Sequence, residues 1–169
     1  MHHVHQLQNF FEGYLRKQKF NEQPRNLFEP FRYILQLPAK RLRPTMVLLA
    51  CEMFGTDGRK ALPQAFAVEL FHNFTLIHDD IMDRAPLRRG KPTVHNKYGE
   101  TIAILSGDVM LVFAYEYLVQ ADVQLVPKLV QVLSNCAVDV CRGQQFDMNF
   151  ESEKKVSLND YMKMIELKT

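Results

Sequence analysis

A chain of 169 residues is one domain's worth of polypeptide, long enough to bury a core. Its 47% apolar and 24% charged residues are ordinary for a soluble globular protein. A net charge of +2 implies no general field for nucleic acid or an acidic membrane, so the placement of the charges carries the information. Three cysteines, Cys51, Cys136 and Cys141, have no CxxC spacing and leave one unpaired, which suits reduced thiols in a cytosol. No uninterrupted apolar run approaches the length that spans a bilayer, so no stable membrane insertion is expected. Met1-His2-His3-Val4-His5 lacks the apolar stretch of a signal peptide, and its histidines read as a polar terminus. The expectation is a cytoplasmic protein.

Leu7, Phe10, Phe11, Tyr14 and Leu15 recur at the spacing of an amphipathic helix, and Leu27, Phe28, Phe31, Ile34 and Leu35 form a second set. Pro38 closes that segment, and Pro44 suits the first turn of a third helix reaching Gly55. Gly55-Thr56-Asp57-Gly58 is a loop by composition. Pro63 opens a long helix from Ala65 to about Asp83, followed by a polar loop with Pro86, Gly90 and Pro92. Further helices are predicted over about 100–119, 127–148 and from Ser157 onward, where Ser157 and Asp160 make an S-x-x-D capping pattern. Period-2 alternation and hairpin dipeptides are absent. The pattern predicts an all-α helical bundle, with residues 1–169 as a single domain.

Asp79, Asp80 and Asp83 place three carboxylates in five residues of an apolar helix. Asp79 and Asp83 share a face, and Asp80 lies about 100° round from Asp79. Aspartate is a poor helix-interior residue, and like charges at i,i+4 repel by about 0.2–0.5 kcal/mol, so joint use of the carboxylates is implied. Magnesium is a natural user, because it takes hard oxygen ligands and bridges one or two carboxylates to a substrate's phosphates. Arg84, Arg88, Arg89, Lys91 and Lys97 follow directly, and guanidinium groups would take the remaining oxygens of such an anion. A second basic group, Lys40-Arg41-Leu42-Arg43, lies near a helix start. His72, seven residues before Asp79, falls on nearly the same face two turns earlier. One acidic and two basic groups suggest two anionic ligands, one of them bound through metal. Nucleic acid is not expected, since no aromatics interleave the basic loop residues.

These segments resemble a known family. Phe71 to Asp83, followed by Arg88-Arg89-Gly90-Lys91-Pro92-Thr93, is similar to the first aspartate-rich motif of trans-isoprenyl (polyprenyl) diphosphate synthases. Lys40-Arg41-Leu42-Arg43-Pro44 resembles that family's GKRxRP segment, Leu105 to Asp108 a conserved helix start, Gly143 to Asp147 its GQxxD motif, and Lys168-Thr169 its KT pair. The matches run in family order from about residue 38 onward. The resemblance implies the amino-terminal half of a short-chain, geranylgeranyl- or farnesyl-diphosphate-synthase-like enzyme with an all-α fold, a central cavity and a homodimeric state. It implies magnesium-dependent, head-to-tail condensation of isopentenyl diphosphate with an allylic diphosphate. By motif position Asp79 and Asp83 are metal ligands, with Asp80 supporting. Arg88, Gln144, Asp147 and Lys168 serve the allylic diphosphate or its metals, and Thr169 sits near the reacting carbons. Lys40, Arg43, His72 and Arg89 hold the metal-free isopentenyl diphosphate. Phe74, at the fifth position before the first aspartate, with Thr75 beside it, implies a short C15–C20 product.

Two departures bear on these expectations. Pro38-Ala39 stands where the family usually has glycines before the lysine. The family's second aspartate-rich motif, which follows the KT pair, does not occur here, so a truncated bundle, inactive on its own, is expected. A class I terpene cyclase and a non-catalytic subunit of a two-chain synthase remain as alternatives; Lys40, Arg43 and Arg89 argue against the first, and intact Asp79, Asp83, Arg88 and Arg89 against the second.

Overall fold

Apolar residues three and four apart bury one stripe of each helix, and those stripes build the core. In the computed structural model, which describes residues 2–168, Leu7 and Phe11 turn inward from α1 (His2–Lys17), and Phe28, Phe31, Ile34 and Leu35 from α2 (Arg25–Gln36). α3 (Leu42–Met53) carries Pro44 in its first turn as expected. A 3₁₀ turn (Gly58–Ala61) leads into α4 (Leu62–Met82), the longest helix of this part of the chain, with Pro63 in its first turn. After α5 (Val94–Tyr98), α6 (Glu100–Leu118) packs along α4 and against α2. Aromatic rings fill the centre: Phe20 lies 4.3 Å from Phe31 and Phe66 lies 4.7 Å from Tyr117. The Tyr117 hydroxyl donates to Gln18 Oε1 at 2.8 Å, and burial pushes its pKa up to about 12. The all-α reading holds, with eight α-helices among the described residues.

The chain divides into two compact units, one reaching Val123 and one starting at Gln124. The second consists of α7 (Val126–Phe150) packed on α8 (Leu158–Lys168). The S-x-x-D pattern caps α8 as predicted: Ser157 Oγ accepts from the Asp160 amide at 3.1 Å and donates to Asp160 Oδ2 at 2.6 Å.

One feature differs from the sequence reading and another adds to it. The loop after α4 contains a hairpin of β1 (Leu87–Arg88) and β2 (Lys91–Pro92), with Leu87 opposite Pro92 and Arg88 opposite Lys91. Arg89 and Gly90 form its turn, both with positive φ (54° and 74°), the mirror-image geometry that matches strand twist. Arg-Gly is not a strong hairpin signal, and two-residue strands cannot show alternation. The addition concerns α6, which is 19 residues long and apolar enough to cross a membrane by length and composition, although no uninterrupted apolar run spans it. Glu100, Asp108 and Glu116 interrupt its sequence and hide that property from a search for unbroken runs. Within its unit α6 buries Ala103, Ser106, Gly107, Met110, Ala114 and Leu118.

Candidate diphosphate and metal site

The acidic motif occupies the last turn of α4, where the helix dipole presents its negative end. Asp83 is the C-cap residue, Arg84 follows in the left-handed region (φ 49°), and the amides of Arg84 and Ala85 return to the carbonyls of Ile81 and Asp80. This cap turns the chain sharply, and the hairpin brings Arg88 back over the carboxylates. Arg88 Nε donates to Asp80 Oδ2 at 2.8 Å, and Nη2 to Asp79 Oδ2 at 3.4 Å. Burial disfavours the Arg88 charge, but the Asp80 hydrogen bond and the charges of Asp80, Asp79 and Asp83 outweigh it and raise its pKa. The hairpin is held at its base. Thr93 Oγ1 donates to the Ala85 carbonyl (2.7 Å), and the Tyr33 hydroxyl donates to that of Pro92 (2.8 Å).

The three carboxylates are not equivalent. Asp80 is buried, with Oδ2 committed to Arg88 and Oδ1 without a hydrogen-bond partner. Asp79 is partly exposed, and Asp83 lies exposed at the helix end. Among the described residues no three His, Cys, Asp or Glu side chains converge to hold a metal ion unaided. Hard oxygens at Asp79 and Asp83, one turn apart on an accessible helix end, fit a magnesium ion that draws its other ligands from water and phosphate. Asp80 fits the supporting role, as the carboxylate that fixes Arg88.

A second group forms two turns earlier on α4. Arg43, exposed in the first turn of α3, places Nη1 3.4 Å from His72 Nε2. Burial, followed by the charges of Arg43, Arg89, Arg88 and Arg41, lowers the His72 pKa from 6.5 to about 4, so its neutral ring accepts from Arg43. Burial, and then Arg41, lowers the Arg89 pKa. Lys40 is exposed in the loop before α3, with its carbonyl accepting from Gln8 Nε2 at 3.0 Å. Phe74 packs 5.9 Å from Phe71 and 4.7 Å from His78, and Thr75 Oγ1 donates to the His72 carbonyl.

Because the folded His72 pKa lies below its ordinary value, the unfolded chain binds the proton more readily. Its contribution to stability is complete above pH 6.5 and is lost as pH falls through 6.5 towards 4. With allowance for the ring's partial exposure this amounts to about 2–3 kcal/mol. Urea unfolding at pH 7 and pH 4.5 should show that loss in the native chain and a much smaller one in His72→Gln; equal losses would refute the assignment.

In the second unit α7 places Gln144 and Asp147 one turn apart, and Lys168 Nζ donates to Asp147 Oδ2 at 2.5 Å. Gln144 is buried, and its Nε2 has no hydrogen-bond partner. Gly143 makes this pairing possible: a Cβ there would meet the Lys168 amide nitrogen at 2.5 Å. Thr169 lies outside the described residues.

One residue of this region escaped sequence reasoning. Arg41 is 6% exposed and caps α3 in the left-handed conformation (φ 48°), which costs a non-glycine residue about 1–2 kcal/mol. Arg41, Arg84 and Arg89 are the non-glycine residues of positive φ among those described, and all flank these two groups. A run of three cations in four residues does not reveal which one turns inward.

The polyprenyl synthetase family model matches residues 24–169. The chain is 49% identical over 148 residues to geranylgeranyl diphosphate synthase of Methanosarcina mazei, covering 86% of this chain and 46% of that protein. It is 43% identical over 130 residues to (2E,6E)-farnesyl diphosphate synthase of Mycobacterium bovis, covering 77% and 36% respectively. Among solved structures, geranylgeranyl pyrophosphate synthetase from Pyrococcus horikoshii Ot3 matches with a TM-score of 0.92 at 35% identity, over 99% of this chain and 52% of that one. The chain thus spans about half the length of the M. mazei relative, and its fold is that of the isoprenyl synthases. Motif order, helical architecture and family match agree, and the chain belongs to the polyprenyl synthetase family.

Proposed function

We propose that the protein is a prenyltransferase that condenses isopentenyl diphosphate with an allylic diphosphate to give a C15–C20 polyprenyl diphosphate, C20 being slightly preferred. The observation that carries this reading is the separation of two anion-binding groups along α4. Asp79 and Asp83, with Arg88 folded over them, suit a metal-bound diphosphate, while Arg43, neutral His72 and Arg89 suit a metal-free one. Magnesium held by Asp79 and Asp83 would supply charge neutralisation where the allylic diphosphate departs. Arg88 adds a fixed guanidinium beside that position, preorganised by Asp80 before any charge develops. Arg43 and Arg89 orient the second diphosphate so that its alkene reaches the allylic carbon as the carbon–oxygen bond breaks. The new carbon–carbon bond leaves a cation, and its proton passes to the released diphosphate, so the chain need offer no nucleophile. Gln144, Asp147 and Lys168 are read as further allylic-diphosphate contacts, and Phe74 with Thr75 as the limit on product length.

These 169 residues contain one aspartate-rich motif, and we read them as inactive without a complementary half. A homodimer is part of the same proposal, supported by exposed Leu105, Val112 and Val119 recurring every seven residues along one face at α6. So is a cytoplasmic setting, supported by the free thiols of Cys51 and Cys141. The test is turnover of the full-length protein with labelled isopentenyl diphosphate and defined allylic primers, with and without magnesium. Absence of both magnesium binding and allylic diphosphate binding would end the catalytic reading. Arg89→Ala should raise the KM for isopentenyl diphosphate about 10- to 100-fold and change that of the allylic primer far less, read from initial rates.

A further inference from the structure

Arg41 stands one residue before α3 and two before Arg43, yet its side chain runs in the opposite sense, into the protein. Three acceptors on three elements receive its fork: Nε donates to Glu12 Oε1 of α1 at 2.9 Å, Nη1 to Glu69 Oε1 of α4 at 2.5 Å, and Nη2 to the Leu35 carbonyl of α2 at 2.5 Å. Its own carbonyl accepts from the Thr45 amide at 3.2 Å and from Thr45 Oγ1 at 2.6 Å, so the first turn of α3 is tied to the same residue. Glu69 is as deeply buried as Arg41 and also accepts from Asn73 Nδ2 at 3.1 Å. Glu69 lies three residues before His72, so the Arg41–Glu69 pair joins α3 to α4 one turn below the place where Arg43 meets His72.

A left-handed residue persists only where its surroundings over-determine it, and here a planar five-donor group with three fixed acceptors does so. The backbone direction at Arg41 then sets where Arg43 emerges. We propose that Arg41, with Glu69 as its buried partner, is the positioning residue of the metal-free diphosphate subsite, holding Arg43 against His72 without touching substrate. This role rests on the functional reading above and deepens it.

The test uses Arg41→Lys and Glu69→Gln in the full-length protein. Initial rates against each substrate should show the KM for isopentenyl diphosphate raised about 10- to 100-fold, the allylic KM within about threefold and kcat largely kept. Arg41→Lys conserves the charge, so NMR titration of His72 should move from about 4 towards 6.5 once Arg43 is released. Unchanged KM values with an unchanged His72 titration overturn the proposal. So does a parallel rise of both KM values with a falling melting temperature, which marks a merely structural residue. If the unmodified protein binds neither diphosphate, the functional reading fails instead, and the His72 titration still decides whether Arg41 holds Arg43.

Discussion

In the full-length protein, Asp79→Ala should abolish turnover while leaving α4 folded. Asp79 offers an accessible carboxylate at the end of α4, one turn from Asp83. In the proposed reaction, loss of a metal-held charge contact worth about 4 kcal/mol at the departing diphosphate would be about a thousandfold in rate. Arg88 keeps its 2.8 Å bond to buried Asp80, and the weaker 3.4 Å contact to Asp79 is partly solvated. Alanine is the better helix former and removes a negative charge from the negative end of the helix dipole, a gain of about 0.5–1 kcal/mol. Turnover measured beside thermal unfolding reads both effects at once. Activity within tenfold of the native protein would remove Asp79 from the metal site.

Gly143→Ala should be among the most damaging substitutions in the second unit. Alanine raises helix propensity by about 1 kcal/mol, and at exposed sites that decides the outcome. At Gly143 the added Cβ would lie 2.5 Å from the Lys168 amide nitrogen, 2.8 Å from its Cα and 2.9 Å from the Leu167 carbonyl carbon. All three are backbone atoms, so no rotamer change relieves the overlap, and the end of α8 must move away from α7. Overpacking of this kind costs about 1–3 kcal/mol, and the displacement also opens the 2.5 Å pairing of Lys168 with Asp147. Gly13→Ala in α1 is the internal control, since nothing lies within 4 Å of its added Cβ, and it should stabilise by about 0.5–1 kcal/mol. Urea midpoints of the two variants should therefore move in opposite directions; movement in the same direction would refute the close approach.

Helix positions were legible in the chain because apolar spacing, prolines and one capping pair act within a few residues of each other. The long helices and the Ser157 cap agree with the structure for that reason. The acidic cluster was legible too, since three aspartates near a helix end contradict both propensity and the helix dipole. Loop geometry was not. The hairpin depends on Arg89 adopting positive φ, and its stability comes from Tyr33 and Thr93, which are distant or flanking partners rather than turn residues.

The sequence by itself determined an all-α chain, the two basic groups, the aspartate cluster and, through motif order, the family. The fold class and the charged groups reside in local periodicity and in the spacing of charged residues, while the family rests on the resemblance of the motifs. Only the tertiary structure decided what each charge does. It buried Asp80 against Arg88 while leaving Asp79 and Asp83 accessible, and it turned Arg41 inward while Arg43 faced His72. Adjacent like residues part in this way because burial and the acceptors within reach differ on the two sides of a helix, and those acceptors come from remote segments of the chain.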